Sequence, residues 1–264
     1  MKTLTVTRDA HGVARVTMAR PDVFNALHEA MVAELDTTFA ELGADDSVRV
    51  IVLTGEGKAF SAGADLEWMQ RASGISAEWS RKDVRRLADM LWRVDTCPKP
   101  TIARVNGIAF GSGVGLACAC DVAVATRSAS FAISEAKFGM LPAVIGPYVI
   151  NAVGRRQARR LALTAQRVGS AEALGMGLVH QVVPASRLDA AVDEQVDALL
   201  ANGPRAQQEI KSLFARIAVG PVTGEVRELT VKTIGRVRAT DEAREGLAAF
   251  LEKRPARWTK GVQP

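Results

Sequence analysis

Two glycine-rich segments carry the strongest chemical signal in the sequence. They are residues 58–66 (KAFSAGADL) and residues 105–117 (VNGIAFGSGVGLA), and each follows a run typical of a β-strand. Small residues let a ligand approach the backbone, and a turn into a helix leaves N–H groups without intrahelical acceptors. Such N–H groups suit an anion or an oxyanion that develops during a reaction. Either segment alone also fits an ordinary connection with close helix packing, so both interpretations stay open at this point.

The second segment matches neither of the two common nucleotide-binding loops. It lacks the Gly-Lys-Ser/Thr ending of a phosphate loop, and no acidic residue ends a second strand about 20 positions on, as dinucleotide binding requires. Metal-ligand spacing is also missing from the three histidines and three cysteines, so we expect no metal. These residues are His11, His28, His180, Cys97, Cys118 and Cys120. We predict inert buried thiols and a reducing, cytoplasmic location.

Glu135 is the candidate proton carrier. It lies in residues 131–142 (FAISEAKFGMLP), where its neighbours are mostly apolar. Burial of a carboxyl group raises its pKa and makes it usable as a general acid and base near neutral pH. A solvated glutamate, or one paired with Lys137, is the alternative interpretation.

The composition is that of a soluble globular protein. The chain has 264 residues, 48% of them apolar and 24% charged, which suits one large α/β domain or a core with a small appendage. A net charge of +5 suits a polyanionic small ligand or nucleic acid without choosing between them. No apolar run approaches the ~20 residues of a membrane span, and the first residues lack a secretory signal pattern.

Hydrophobic periodicity predicts the elements that position these segments. Strands are expected at 3–8, 13–19, 48–53, 101–105, 122–126 and 178–183, and helices at 26–42, 77–94 and 111–119. The first two strands, joined by a four-residue turn, predict a hairpin. The later order of strand, glycine-rich loop and helix predicts crossover units in a mostly parallel sheet. We therefore predict an α/β core over residues 1–200 and a helical region over residues 201–264.

Taken in order, the three segments resemble the crotonase (enoyl-CoA hydratase/isomerase) superfamily over nearly the whole chain. Further matches are Arg20-Pro21 with Asn25-Ala26-Leu27, residues 100–103 with Asn106-Gly107, Cys120-Asp121, Gly154, Leu163-Thr164, residues 171–179 and residues 245–254. Each match is short, but their joint order is specific. The resemblance implies an α/β fold whose core is a superhelix of stacked ββα units, with a helical C-terminal region that forms trimers, often paired into hexamers.

The resemblance also implies a reaction centre. The backbone N–H groups of Ala64 and Ser112 would form an oxyanion hole for the carbonyl of an acyl-CoA thioester, and Glu135 would carry the proton. Ser112 stands where the family usually has glycine, but only its N–H is needed. Hydratases of the family normally have a further glutamate where this chain has Gly115. One glutamate can serve hydration, by taking a proton from water and returning one to carbon, or isomerisation, by moving a proton between carbons.

Two stretches favour hydration. Residues 60–69 and 140–149 are similar to the bacterial methylglutaconyl-CoA hydratase-like branch, which includes members with glycine at the position of Gly115. The resemblance implies an acyl-CoA partner, a role in fatty acid metabolism and no cofactor beyond the coenzyme A of the substrate. The implied substrate-binding residues are Phe24, Ala26, Ala62, Gly63, Asp65, Leu66, Gly111, Gly115, Pro142, Phe250 and Lys253. Side chains expected to shape the acyl pocket are Trp68, Met69, Met140 and Leu141.

A non-enzymatic alternative rests on the basic helix predicted at 77–94 and its flanks. A relative in this superfamily binds RNA through a lysine-rich helix, and basic residues recur here at Arg71, Arg81, Lys82, Arg85, Arg86 and Arg93. Acidic residues interrupt them at Glu78, Asp83 and Asp89. A solvated helix face is the preferred interpretation, and we expect neither a nucleic-acid nor a membrane partner.

Overall fold

The computed structural model describes residues 3–73 and 76–259. Its strands are β1 (Leu4–Arg8), β2 (Val13–Met18), β3 (Val50–Gly55), β4 (Ala59–Ser61), β5 (Thr101–Val105), β6 (Ile108–Phe110), β7 (Val122–Thr126), β8 (Ser130–Ala132), β9 (Val168–Gly169) and β10 (Gln181–Val183). Its helices are α1 (Glu29–Ala44), α2 (Leu66–Ser73), α3 (Ala77–Asp95), α4 (Ser112–Ala119), α5 (Gly146–Thr164), α6 (Ser170–Gly175), α7 (Leu188–Leu200), α8 (Pro204–Ala215), α9 (Gly224–Arg238) and α10 (Asp241–Leu251).

The strands form two sheets. The larger has the order β1-β2-β3-β5-β7-β10 and is parallel except for the β1–β2 hairpin. The smaller has the order β4-β6-β8-β9. Its strands have only two or three residues, too few to show an alternating pattern, so the prediction of one sheet was incomplete. The pairs β3–β4, β5–β6 and β7–β8 are each followed by a helix, which is the stacked ββα core that the resemblance implies.

Helices cover both faces of the larger sheet. Strand β3 is buried along its whole length, as expected for a central parallel strand. On one face the core includes Leu35, Phe39 and Leu91 from the flanking helices. On the other face, strand residues such as Val52 pack with Val192 of α7. The sheet is thereby held rigid, and its strand ends provide fixed starting points for the loops.

Two predicted element starts were wrong by three residues, both for local reasons. Helix α1 begins at Glu29 instead of residue 26, because the His28 side chain caps it by accepting the Met31 N–H at 3.2 Å. Phe24 and Asn25, just upstream, have positive φ angles of 53° and 55° that cannot continue a helix. Strand β10 begins at Gln181 instead of residue 178, because the backbone at residue 178 still makes the hydrogen bonds that end α6.

The C-terminal helices are tied to the start of β3. The Arg49 guanidinium donates hydrogen bonds to the carbonyl oxygens of Leu200, Asn202 and Trp258 at 3.0–3.3 Å. The Trp258 indole N–H donates to the Ala201 carbonyl at 3.1 Å. Helix α10 packs on α8 and α9. This region therefore lies at the amino-terminal edge of the parallel strands.

Asn25 provides a direct test of how the loops are held. Its fully buried side chain accepts the Arg20 N–H and donates to the carbonyls of Glu56 and Ala59, all at 2.9 Å. Asn25→Ala leaves these buried groups unpaired, so we expect the free energy of unfolding to fall by about 3 kcal/mol. Urea denaturation measures this. Asn151→Ala on the exposed face of α5 is the control, and equal losses in the two variants would contradict the assignment.

Candidate active site

The two glycine-rich loops touch each other at Gly63 and Gly111. A β-carbon built on Gly63 would lie 2.6 Å from the Phe110 carbonyl oxygen and 3.5 Å from the Gly111 Cα. Both glycines have positive φ angles, 91° and 47°, in a region that side chains other than glycine rarely adopt. Glycine is therefore required at both positions, by backbone conformation and by the close approach at Gly63. The residues that follow, Ala64 and Ser112, are consequently neighbouring parts of the two loops.

The first loop leaves the Ala64 N–H group free. The Gly63 carbonyl accepts the Leu27 N–H at 2.7 Å, and the Asp65 N–H donates to the Leu27 carbonyl at 2.8 Å. The Gly63 N–H is taken by the Ser61 hydroxyl at 3.2 Å. Ala64 lies between these bonded groups, and its N–H has no acceptor within the described parts of the chain. The loop is thus fixed on both sides of an N–H that is available to a ligand.

The second loop presents a free N–H in the same way. The Gly111 N–H donates to the Ala132 carbonyl at 2.9 Å, which fixes the turn before α4. Ser112 is the first residue of that helix, and its N–H finds no acceptor among residues 3–73 and 76–259. Because Ser112 is buried, leaving this group unpaired costs stability. Such a cost commonly marks a site that a ligand completes.

Glu135 lies against the second loop. Its Oε1 atom is 3.3 Å from the position that a β-carbon on Gly111 would take. Its Oε2 atom is buried and has no hydrogen-bond partner in the part of the chain that the structure describes. Burial raises the pKa of this carboxyl group, and hydrogen bonds from the N–H groups of Glu135 and Ser134 only partly oppose that effect. The predicted alternative, a pair with the exposed Lys137, is absent from the ion pairs of the described residues.

Asp65 has a positioning function in this structure. One carboxyl oxygen accepts the N–H groups of Glu67 and Trp68 at the start of α2, and the other accepts Arg20 at 2.9 Å. Burial opposes ionisation of Asp65, but these hydrogen bonds outweigh it and lower its pKa. The same Arg20 donates to the Ala26 carbonyl at 2.5 Å. The guanidinium group therefore joins the segment before α1 to the first loop.

Other predicted binding residues border the same loop. Phe24 is half exposed, and its carbonyl accepts the Ala62 N–H at 2.9 Å. Ala26 is buried beside them, and Leu66 is exposed at the start of α2. The structure thus brings Phe24, Ala26, Ala62 and Leu66 together with Gly63.

The rim on the Glu135 side is apolar. Met140 and Leu141 are exposed beside the half-buried Pro142, whose carbonyl accepts the Gly146 N–H. Trp68, by contrast, is only 5% exposed and packs in the core, so its place in the pocket wall stays a prediction.

Phe250 and Lys253 lie away from the two loops within one chain, and Gly115 lies in the second segment one helical turn beyond Gly111. Gly115 is buried in α4, where a β-carbon would meet Ile145 and Leu91. Phe250 and Lys253 are exposed at the end of α10, in the region tied to the start of β3. The six-residue strand β3 separates that edge from the loops by about 20 Å.

Sequence reasoning gave no role to Arg20 and Ile145. Arg20 belongs to a short family match, and Ile145 lies in the stretch 140–149 that is similar to the methylglutaconyl-CoA hydratase-like branch, but neither was assigned a role of its own. Their importance comes from contacts with residues 45 and 30 positions away along the chain. No pattern of residue types within one segment could have revealed either contact.

The remaining chemical groups add no second centre in the described residues. The cysteines are free, as predicted; Cys97 and Cys120 are buried, and burial raises the pKa of Cys118 to about 12. No cluster of three potential metal ligands occurs in residues 3–73 and 76–259. None of the helices in this portion of the chain is long and apolar enough to cross a bilayer.

On the basic helix, Lys82 pairs with Glu78 at 2.9 Å and Arg93 pairs with Asp36 of α1 at 3.1 Å.

Comparison with known proteins gives a consistent result. Residues 8–261 match the family model described as enoyl-CoA hydratase/isomerase. The crystal structure of an enoyl-CoA hydratase from Shewanella pealeana is 38% identical, with a TM-score of 0.94 over 97% of this chain and 96% of that one. An enoyl-CoA hydratase structure from Mycobacterium smegmatis is 37% identical, with a TM-score of 0.92 over 98% and 99% of the chains. A candidate enoyl-CoA hydratase of Thermus thermophilus is 36% identical over 93% of this chain and 97% of its own length.

Glu135→Gln tests the electrostatics of the site without a substrate. A carboxyl group with a raised pKa binds its proton more tightly in the folded than in the unfolded protein, so the native chain loses stability as pH rises through the folded-state pKa. The variant lacks this loss. We expect equal free energies of unfolding near pH 4 and a growing advantage for the variant above it, since glutamate ordinarily titrates at about 4.3. Denaturation across pH measures this, with Glu194→Gln on the exposed face of α7 as the control; parallel curves would contradict the burial of Glu135.

Proposed function

Because the chain belongs to the enoyl-CoA hydratase/isomerase family, we propose that it adds water to the double bond of an α,β-unsaturated acyl-CoA thioester. The observation that carries the proposal is that a carboxyl group and two free N–H groups come together around Gly111. The carboxyl group of Glu135 lies against this glycine, and the neighbouring loops leave the N–H groups of Ala64 and Ser112 free. An acceptor held by those two N–H groups would have a proton carrier beside it.

In the first step, the Glu135 carboxylate takes a proton from water while the water oxygen bonds to C3 of the acyl group. The electron pair of the C2–C3 double bond moves toward the thioester, and negative charge develops on the carbonyl oxygen. The N–H groups of Ala64 and Ser112 donate to that oxygen. Because both loops are fixed before the reaction, the donors need no reorganisation, and each is worth about 3 kcal/mol in the transition state.

In the second step, the protonated Glu135 gives its proton to C2, and the enolate returns to a thioester carbonyl. One water molecule has been added, and the carboxylate is regenerated. The atoms and electrons balance with water, substrate and one carboxyl group, so the proposed reaction needs no cofactor apart from the coenzyme A of the substrate. The raised pKa of Glu135 suits a group that must both accept and return a proton.

Isomerisation is the second candidate, and the environment of Gly115 favours it. The position where related hydratases have a further glutamate is here filled by hydrocarbon from Ile145 and Leu91. A single carboxyl group could then remove a proton from C4 and return it to C2, which moves the double bond without adding water. The oxyanion hole would serve both reactions equally. The two reactions are therefore distinguished by measuring whether an oxygen atom from water enters the product.

The acyl specificity is proposed from sequence similarity. Residues 60–69 and 140–149 are similar to the methylglutaconyl-CoA hydratase-like branch, and we place the acyl group beside the apolar rim formed by Met140 and Leu141. We further propose that the enzyme acts in the cytoplasm on intermediates of fatty or branched acyl-CoA metabolism. The buried free thiols are consistent with a reducing compartment.

We also propose a homotrimer, or a hexamer of two trimers, assembled through residues 201–264. Helices α8 to α10 expose large apolar side chains that a second copy of the chain would cover. They include Ile210, Phe214, Val231, Ile234, Leu247, Phe250 and Leu251. In such an assembly, Phe250 and Lys253 of one copy would contact the coenzyme A bound to another, which accounts for their distance from the loops of their own chain.

Replacing the proton carrier should separate binding from turnover. We expect Glu135→Gln to lower kcat on an enoyl-CoA by about 1,000-fold or more, because the amide cannot take a proton, while thioester binding changes by less than about threefold. Steady-state kinetics and titration calorimetry with a saturated acyl-CoA measure the two quantities. Glu194→Gln is the control, and near-normal turnover by Glu135→Gln would exclude the single-carboxyl mechanism.

Water labelled with heavy oxygen distinguishes the two reactions. We expect incubation with straight, branched and carboxylated enoyl-CoAs to give a product that contains one labelled oxygen atom, detected by mass spectrometry. A shifted double bond without label would identify an isomerase instead. The substrate that reacts fastest identifies the acyl class, and preference for a straight chain over a carboxylated branched one would argue against methylglutaconyl-CoA-like specificity.

A further inference from the structure

Ile145 fits against Gly115 in the middle of α4. A β-carbon on Gly115 would lie 2.6 Å from Cγ2 and 3.0 Å from Cβ of Ile145. Ile145 is 2% exposed and Leu91, which lies 3.5 Å from the same position, is fully buried. Carbon atoms this close would overlap, so the isoleucine side chain occupies the space that the missing β-carbon leaves.

This contact lies at one end of the segment that carries Glu135. At the other end, the Ala132 carbonyl accepts the Gly111 N–H at 2.9 Å. Both attachments are made to one short stretch of chain, because Gly111 and Gly115 are joined by the Gly115 N–H to Gly111 carbonyl bond at 3.1 Å. The Glu135 segment is therefore fastened to α4 at two points one helical turn apart.

Burial holds the start of this segment but not its middle. Ile133, two residues before Glu135, is 2% exposed and belongs to the core. Residues 136–141 are all exposed, and their hydrogen bonds are internal, such as the Met140 N–H to the Glu135 carbonyl at 3.1 Å. Apart from the burial of Ile133, the position of Glu135 relative to α4 therefore depends on the two attachments. Ser112, with its free N–H, is the first residue of that same helix.

We propose that Ile145 is a positioning residue, whose contact with Gly115 sets the distance between the Glu135 carboxyl group and the N–H of Ser112. This proposal rests on the proposed function for its catalytic consequence. Its structural content, a dependence of the Glu135 environment on Ile145, stands on the contacts alone. Gly115 serves by having no side chain, which lets the isoleucine approach the helix.

The test compares Ile145→Ala with Ile102→Ala. Ile102 is fully buried on the other face of the larger sheet, so both variants remove the same atoms from a core. We expect both to lose stability, but only Ile145→Ala to lower kcat, by about 100-fold with KM changed less than about threefold, because the carboxyl group is misplaced. Equal kcat values in the two variants would overturn the proposal.

A second comparison measures the contact itself. We expect Gly115→Ala to lower kcat by about tenfold or more in the native background and by less than about threefold once Ile145 is alanine, because the added methyl group then meets fewer atoms. Independent, multiplying effects of the two substitutions would overturn the proposal.

A third readout needs no turnover. Comparing the free energy of unfolding across pH for each variant, with and without Glu135→Gln, gives the folded-state pKa of Glu135. We expect this pKa to fall toward the ordinary glutamate value in Ile145→Ala, since the loosened segment admits water, and to stay unchanged in Ile102→Ala. An unchanged pKa in both would overturn the proposal. If the native chain acted on no enoyl-CoA, the proposed function would fail while this measurement still decided the role of Ile145.

Discussion

The close approach of two backbone turns at Gly63 and Gly111 is the constraint on which the site depends. Neither turn tolerates a β-carbon, since both have positive φ angles and the first faces the Phe110 carbonyl directly. Where the turns touch, the next N–H group of each is left without an acceptor in the described chain. Two separate ββα units thus place donors side by side, although one loop follows β4 and the other follows β6. The proposed reaction uses this pair because thioester chemistry at C2 always develops charge on one oxygen atom.

Such a site is costly, and the surrounding structure offsets the cost. A free buried N–H and a buried carboxyl oxygen without a partner each lower stability. The compensating contacts are the three hydrogen bonds of Asn25 and the ion pair of Arg20 with Asp65, which fix the first loop from outside. In these contacts the side chains of Asn25, Arg20 and Asp65 are engaged with the protein itself. One set of groups therefore holds the loops in place, and a different set, the free N–H groups and the Glu135 carboxyl group, remains free to react.

The sequence predicts those features of this arrangement that are encoded within one short segment, and it does not predict those that join distant residues. Strand β5 was predicted to the residue because its apolar run is bounded by Pro100 and Asn106, and the Glu135 segment was recognised from its neighbours. The smaller sheet was missed because its strands are shorter than any alternating pattern. The start of α1 was misplaced because the residue types at positions 24 and 25 do not indicate their left-handed backbone conformation. The packing of Ile145 on Gly115 joins residues 30 positions apart, so only the folded chain reveals it.

Gly115 links the packing of the fold to its chemistry. Hydrocarbon lies beside that position, and Glu135 places its carboxyl group against the second loop at Gly111. A lone carboxyl group must take and return the proton in one turnover, and a group with the ordinary glutamate pKa would return it poorly near neutral pH. Burial of Glu135 raises that pKa, which favours this carboxyl group as a proton shuttle. The apolar packing at Gly115 and the buried carboxyl group of Glu135 thus lie along the same contact between α4 and the segment that follows β8.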